Sequence, residues 1–256
     1  ESPLDKRSSN KLERGSRAPT GARIVLPSRE FKAVFFDLDG TLVDIHGPLY
    51  IAAKNALGAL GHHPPLTQER YREALARDDV WLGIPEEKRP EYTKLAFAYF
   101  MAEVDKTERL EVLPYVPETL AELKRRGYAT AVITSRPGDP KLLEKKLAMV
   151  GLASHLDHVV TQANSSMRAL LDKTEILKHT AMRAATHPHA CMYVGDEPRD
   201  IMAAANAGYG AAVAVATGAA SYSYLRTHAE FKPDYVMHSM SELLGLLADL
   251  KADAGG

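Results

Sequence analysis

Cys191 is the only cysteine in 256 residues, so no intrachain disulfide can form and a small disulfide-stapled secreted fold is excluded. It lies in the apolar run CMYV, where a buried, unreactive thiol is expected. Long apolar runs are also missing. The longest run of small apolar residues, GAAVAVATGAA at 210–220, falls short of the roughly 20 residues a membrane-crossing helix needs. An excess of one charge is missing too: 32 Lys and Arg face 33 Asp and Glu, for a net charge of −1. There is no basic field to hold nucleic acid and no acidic tail. What is present, 45% hydrophobic residues, suffices for one large domain or a domain with a substantial insert. The expected setting is a reducing one, the cytoplasm, without nucleic-acid or membrane partners. Oligomeric state is left open.

Residues 1–30 are rich in Ser, Arg, Gly and Pro and poor in large apolar groups, so they are expected to form a mostly disordered tail. They contain no hydrophobic signal core, and Glu1, Asp5, Glu13 and Glu30 argue against a transit peptide. RIVL at 23–26 is a candidate edge strand. Beyond the tail, KAVFF (32–36) reads as a buried strand. From 46 to 112 apolar residues recur at helical spacing with no strand between them. After 113 the pattern alternates: helices at 117–127, 139–152, 173–185 and 198–208 separate strands at 128–134, 157–161, 190–196 and 210–217, and YVM (235–237) and a final helix close the chain. Such alternation implies parallel β-α-β units. The expected fold is a Rossmann-like three-layer α/β/α core with a parallel sheet, formed by 31–45 and 113–256, with an inserted all-α cap at 46–112.

The stretch FFDLDGTLVD sets Asp37 and Asp39 at the end of the first strand, where two carboxylates repel each other and lose solvation unless something positive joins them. Ligands of open α/β sheets bind beyond the carboxyl ends of the strands. Two other strand ends carry unusual polar residues: Thr134-Ser135-Arg136 and Gly195-Asp196, the latter followed by Asp200. Lys173 precedes the third of these strands. Asp37, Asp39, Asp196 and Asp200 are expected to gather into one acidic cluster that needs a cation, and oxygen ligands suit Mg²⁺.

In this order DLDGT, a strand ending in Thr134, the isolated Lys173 and GDEPRD resemble the haloacid dehalogenase-like hydrolases, in particular the helical-cap branch that includes phosphoglycolate phosphatase-like enzymes. The likeness runs from about residue 32 to 250. It implies a phosphomonoester hydrolase acting on a small phosphorylated metabolite. Asp37 would be the nucleophile that becomes an aspartyl-phosphate, and Asp39 the general acid and then base. Gly40 and Thr41 would form the turn. Thr134, Ser135 and Lys173 would hold the phosphoryl oxygens. Mg²⁺ would take the Asp37 and Asp196 carboxylates and the Asp39 carbonyl, with Asp200 acting behind them. True dehalogenases lack the second aspartate, so Asp39 argues against that chemistry. A β-phosphoglucomutase-like mutase and a non-catalytic phosphatase-like scaffold are the alternatives.

The same residues also suit plainer roles. Thr134 and Ser135 suit a helix cap, Asp200 suits the first turn of its helix, and Lys178 or Lys145-Lys146 compete with Lys173. His187, His189 and Cys191 alternate like metal ligands but lack a fourth. Trp81, Tyr92, Phe97, Tyr99 and Phe100 are expected in the cap core, with Trp81 also a candidate pocket residue.

Overall fold

The computed structural model describes residues 30–162, 172–227 and 231–253; the candidate strand at 23–26 and most of the polar tail lie outside them. Strand β1 (Ala33–Phe36) leads into helices α1 (His46–Ala59), α2 (Gln68–Ala76) and α3 (Arg89–Lys106). Alternation then follows: α4 (Val116–Arg125), β2 (Ala129–Ile133), α5 (Pro140–Met149), β3 (His158–Val160), α6 (Thr174–Arg183), β4 (Cys191–Gly195), α7 (Pro198–Asn206), β5 (Ala211–Val215), α8 (Tyr222–Thr227), β6 (Tyr235–Met237) and α9 (Leu243–Asp253).

The strands form one sheet in the order β3-β2-β1-β4-β5-β6, parallel throughout. They read as unbroken apolar runs because both faces of the sheet are covered. The two-residue period sorts their side chains. Val34, Phe36, Met192, Val194, Val213 and Val215 enter one buried cluster, while Ala33, Phe35, Cys191, Tyr193, Ala212 and Ala214 enter the other. Helices α4, α5 and α9 cover the first face through Leu120, Leu123, Leu143, Leu147, Leu243 and Leu247. Helices α6, α7 and α8 cover the second through Leu177, Ala181, Ile201, Ala204 and Leu225. These three layers are the expected architecture. Helix α8 has no signature in the sequence pattern. Its six residues, YSYLRT, are too few to display a helical period; Ser221 starts it by accepting the Tyr224 N–H at 3.1 Å.

Between β1 and α4 the three helices pack on one another and on Ile84 of the α2–α3 connection, through Ala56, Leu57 and Tyr92, and through Ala53, Tyr71 and Leu75. The chain enters and leaves this block side by side: the Asp44 N–H donates to the Glu111 carbonyl (2.7 Å), and the Leu113 N–H to the Leu42 carbonyl (3.1 Å). At the far end the Asp78 carboxylate accepts from the Ser221 N–H (3.2 Å) and hydroxyl (2.8 Å), tying the block to the loop before α8. The chain turns to opposite sides of the sheet at β1 and β4, which are neighbours, so a crevice opens at their carboxyl ends. The helical block overhangs it.

Candidate active site

The Asp37 N–H donates to the Val194 carbonyl at 2.9 Å, which holds Asp37 one step beyond β1 and beside the end of β4. The chain then turns sharply. The Leu38 carbonyl accepts the N–H groups of Leu42 (2.9 Å) and Val43 (3.0 Å), and Leu38 itself is fully buried in the core. Gly40 sits at φ +79°, a conformation that costs a residue with a Cβ; a Cβ there would also lie 2.5 Å from Asp196 Oδ2. The turn separates the two aspartates. Asp37 is buried, whereas the Asp39 carboxylate turns to Arg136, which donates from Nη2 to Oδ1 at 2.6 Å and from Nε to Oδ2 at 2.9 Å. The expectation that the Asp39 carboxylate joins the acidic cluster is therefore corrected: a two-pronged guanidinium partner, Arg136, holds it apart from the three buried carboxylates, where it keeps some solvent.

The cluster itself is Asp37, Asp196 and Asp200, each buried, with carboxylate oxygens within 4.8 Å of one another. Lys173, also buried, comes in from the N-terminus of α6 and donates from Nζ to Asp37 Oδ1 (2.5 Å) and Asp200 Oδ1 (2.7 Å), with the Tyr193 hydroxyl at 3.3 Å. Burial works against its ammonium, but Asp200 and Asp37 outweigh that and hold its pKa well above the usual lysine value. Asp37 is pushed up to about 7, first by burial, with Lys173 opposing and Asp200 and Asp39 adding to the rise. Asp196 is driven far above the carboxylate range by burial and by Glu197, Asp37 and Asp200 around it.

Three carboxylates against one ammonium leave two surplus negative charges when all are ionised, the charge of one divalent cation. A second observation bears on the same point. Asp196 Oδ2 is buried without a hydrogen-bond partner, and Oδ1 receives only a long contact from the Thr41 hydroxyl at 3.4 Å. A buried carboxylate oxygen left bare is costly unless a cation takes it. Among the described residues this is the only group of three or more metal-binding side chains, and its all-oxygen donors fit a hard divalent ion.

Residues 31–208 match the family described as haloacid dehalogenase-like hydrolase. The chain belongs to the haloacid dehalogenase-like hydrolase family. Phosphoglycolate phosphatase 1 of Pseudomonas aeruginosa is 33% identical over 229 residues, 83% of this chain and 78% of that protein. A phosphoglycolate phosphatase of Vibrio parahaemolyticus is 28% identical over 242 residues, 87% of this chain and 99% of that one. A solved haloacid dehalogenase-like family hydrolase from Streptococcus pneumoniae superposes with a TM-score of 0.60 at 20% identity, covering 85% of this chain and 98% of that one, a likeness of fold alone. The family, the hydrolase class and the layered fold expected from the sequence are those found. No helix among the described residues is long and apolar enough to cross a membrane.

In this hydrolase Thr134 is buried and Ser135 half-buried at the end of β2, and both line the cavity above Asp37. Neither caps α5: Asp139 does, accepting the Lys141 N–H at 2.9 Å. Two of the competing lysines are occupied elsewhere, Lys178 with Glu175 and Lys146 with the Asp105 carbonyl. Asp200 serves two purposes, accepting the Glu197 N–H (3.2 Å) at the start of α7 while holding Lys173. His187 and His189 stack on each other, and Cys191 is a buried thiol pushed up to about 12 by burial, so no metal group forms there among the described residues.

The sequence did not reveal the pairing of Arg136 with Asp39, the Tyr193 hydroxyl beside Lys173, or Gly218. A Cβ on Gly218 would stand 1.7 Å from Asp196 Oδ2. Gly218→Ala must therefore displace the Asp196 carboxylate. A loss of divalent-metal affinity on the order of 10–100-fold is expected, the range seen when a ligand's support is disturbed. Metal titration of the purified variant checks this; unchanged affinity contradicts the placement of Asp196 as a ligand.

Proposed function

We propose that this hydrolase is a Mg²⁺-dependent phosphatase of small phosphorylated metabolites and works through an aspartyl-phosphate on Asp37. The observation that carries the reading is the Asp37 carboxylate at the strand-switch crevice, hydrogen-bonded to Lys173 and beside an unpartnered Asp196 oxygen. Asp37, Asp196 and the Asp39 carbonyl would hold the cation, with Asp200 behind them. When bound, the cation supplies positive charge to the phosphoryl oxygens and keeps Asp37 ionised.

The steps lie with the chain's own groups. An Asp37 oxygen attacks phosphorus as the bond to the leaving oxygen breaks, and Asp39, in its acid form, gives that oxygen a proton. Water then attacks phosphorus, Asp39 takes a proton from it, and the bond to Asp37 breaks to release inorganic phosphate. Lys173, Thr134 and Ser135 bind the phosphoryl oxygens. Arg136, which donates to both Asp39 oxygens, holds the carboxylate form that takes the proton from water. The segment at 46–112 acts as a cap domain on the core of 31–45 and 113–256, excluding water while phosphorus is transferred.

The test is release of inorganic phosphate from a panel of phosphorylated metabolites with Mg²⁺ and with EDTA. Turnover is expected with Mg²⁺, abolished by EDTA and restored by excess metal. A phosphosugar mutase would instead return an isomerised sugar phosphate, and a scaffold would release nothing.

A further inference from the structure

The crevice above Asp37 continues into the helical block as a cavity of about 330 Å³, within the range of small-ligand pockets. Its two ends differ in chemistry. Every charged residue that lines it, Asp37, Asp39, Arg136, Lys173, Glu197 and Arg199, belongs to the sheet end. The lining contributed between Ile45 and Met101 contains no Asp, Glu, Lys, Arg or His. It is mostly aliphatic and aromatic, with Leu49, Leu75, Trp81, Phe97 and Phe100 among its large side chains, and its polar groups are uncharged, including the hydroxyls of Tyr71, Tyr92 and Thr93. The wall is braced: Trp81 meets Tyr92 edge-on at 6.4 Å, and the Arg89 guanidinium lies 5.0 Å over the Trp81 ring.

Each cation at the sheet end already faces a carboxylate of the chain. Arg136 holds both oxygens of Asp39, Arg199 pairs with Glu197, and Lys173 serves Asp37 and Asp200. A leaving group bearing a carboxylate would enter an arm whose lining residues carry no positive charge and would lose its solvation against Leu and Phe. An apolar one would gain about fourfold in affinity for each methylene buried.

Building on the phosphatase reading above, we propose that this arm selects monoesters whose leaving group is an uncharged, apolar alcohol. This sets the chain apart from its phosphoglycolate phosphatase relatives, whose named substrate carries a carboxylate on the leaving group.

Two measurements on the full chain in Mg²⁺ buffer separate this claim from the reading beneath it. The first is calorimetric binding of methyl-, ethyl-, propyl- and butylphosphonate and of phosphonoacetate, none of which can be hydrolysed. The dissociation constant is expected to fall about fourfold per added methylene, with phosphonoacetate at least tenfold weaker than propylphosphonate. A flat series, or tighter binding of phosphonoacetate, overturns the proposal. Phe97→Glu, which places a charge on a half-buried wall position, is expected to flatten the series; a change in overall stability alone would not alter its slope. The second is phosphate release from butyl phosphate and from 2-phosphoglycolate. Rising phosphonate affinity without release from any ester keeps the apolar arm and overturns the hydrolytic reading. Faster release from 2-phosphoglycolate than from butyl phosphate keeps the hydrolysis and overturns the apolar leaving group.

Discussion

Asp37→Asn is expected to lower phosphate release by about 10⁴–10⁶-fold, the scale on which removal of a nucleophile acts. The amide keeps the shape of the side chain but cannot form an acyl-phosphate bond. Stability is expected to move the other way. In the metal-free protein Asp37 is pushed up to about 7 by burial from an ordinary value of 3.8. Its folded pKa lies above its unfolded one, so folding favours the protonated form. That contribution is fully present below 3.8 and is lost as the pH rises through about 7. An amide has no such loss. Urea denaturation without metal should find Asp37→Asn more stable than the parent at pH 8, with the difference shrinking toward pH 5. Retention of a tenth of the parent turnover contradicts the nucleophile assignment, and a variant less stable than the parent at pH 8 contradicts the charge surplus.

Lys173→Met is expected to cost about 3–5 kcal/mol at pH 8, because removing one partner of a buried ionic group leaves the others uncompensated. Asp37 and Asp200 lose the ammonium that donates to them at 2.5 and 2.7 Å, in a site where Asp196 Oδ2 already lacks a partner. Without it the Asp37 pKa rises further, so a proton can neutralise that carboxylate at lower pH. The penalty should therefore be smaller at pH 6 than at pH 8. Turnover should fall as well, since the same ammonium is assigned to the phosphoryl oxygens. Urea denaturation at the two pH values checks the sign. A loss below about 1 kcal/mol at pH 8 would mean that the three carboxylates are not balanced by this lysine.

Much of this was legible in the amino-acid order for physical reasons. Ala33–Phe36 and Ala211–Val215 are apolar at every position because a parallel sheet buries both faces, so the runs announce themselves. Asp37 and Asp196 stand out because nothing in packing rewards a carboxylate directly after such a run. Lys173 is less legible, since a lysine at a helix start is usually solvated, and only its buried position beside Asp37 and Asp200 distinguishes it from Lys178.

Local pattern therefore determined the layered fold, the strand ends that carry polar groups and the residue types at them, because these depend on neighbours a few positions apart. Tertiary structure alone decided the rest. Arg136 meets Asp39 across 97 positions, Gly218 comes within a Cβ's reach of Asp196, and Leu49, Tyr71, Trp81 and Phe97 converge from separate stretches into one uncharged arm. Helical spacing tells which side of a helix is apolar; whether that side meets another helix or an open cavity depends on how whole elements pack.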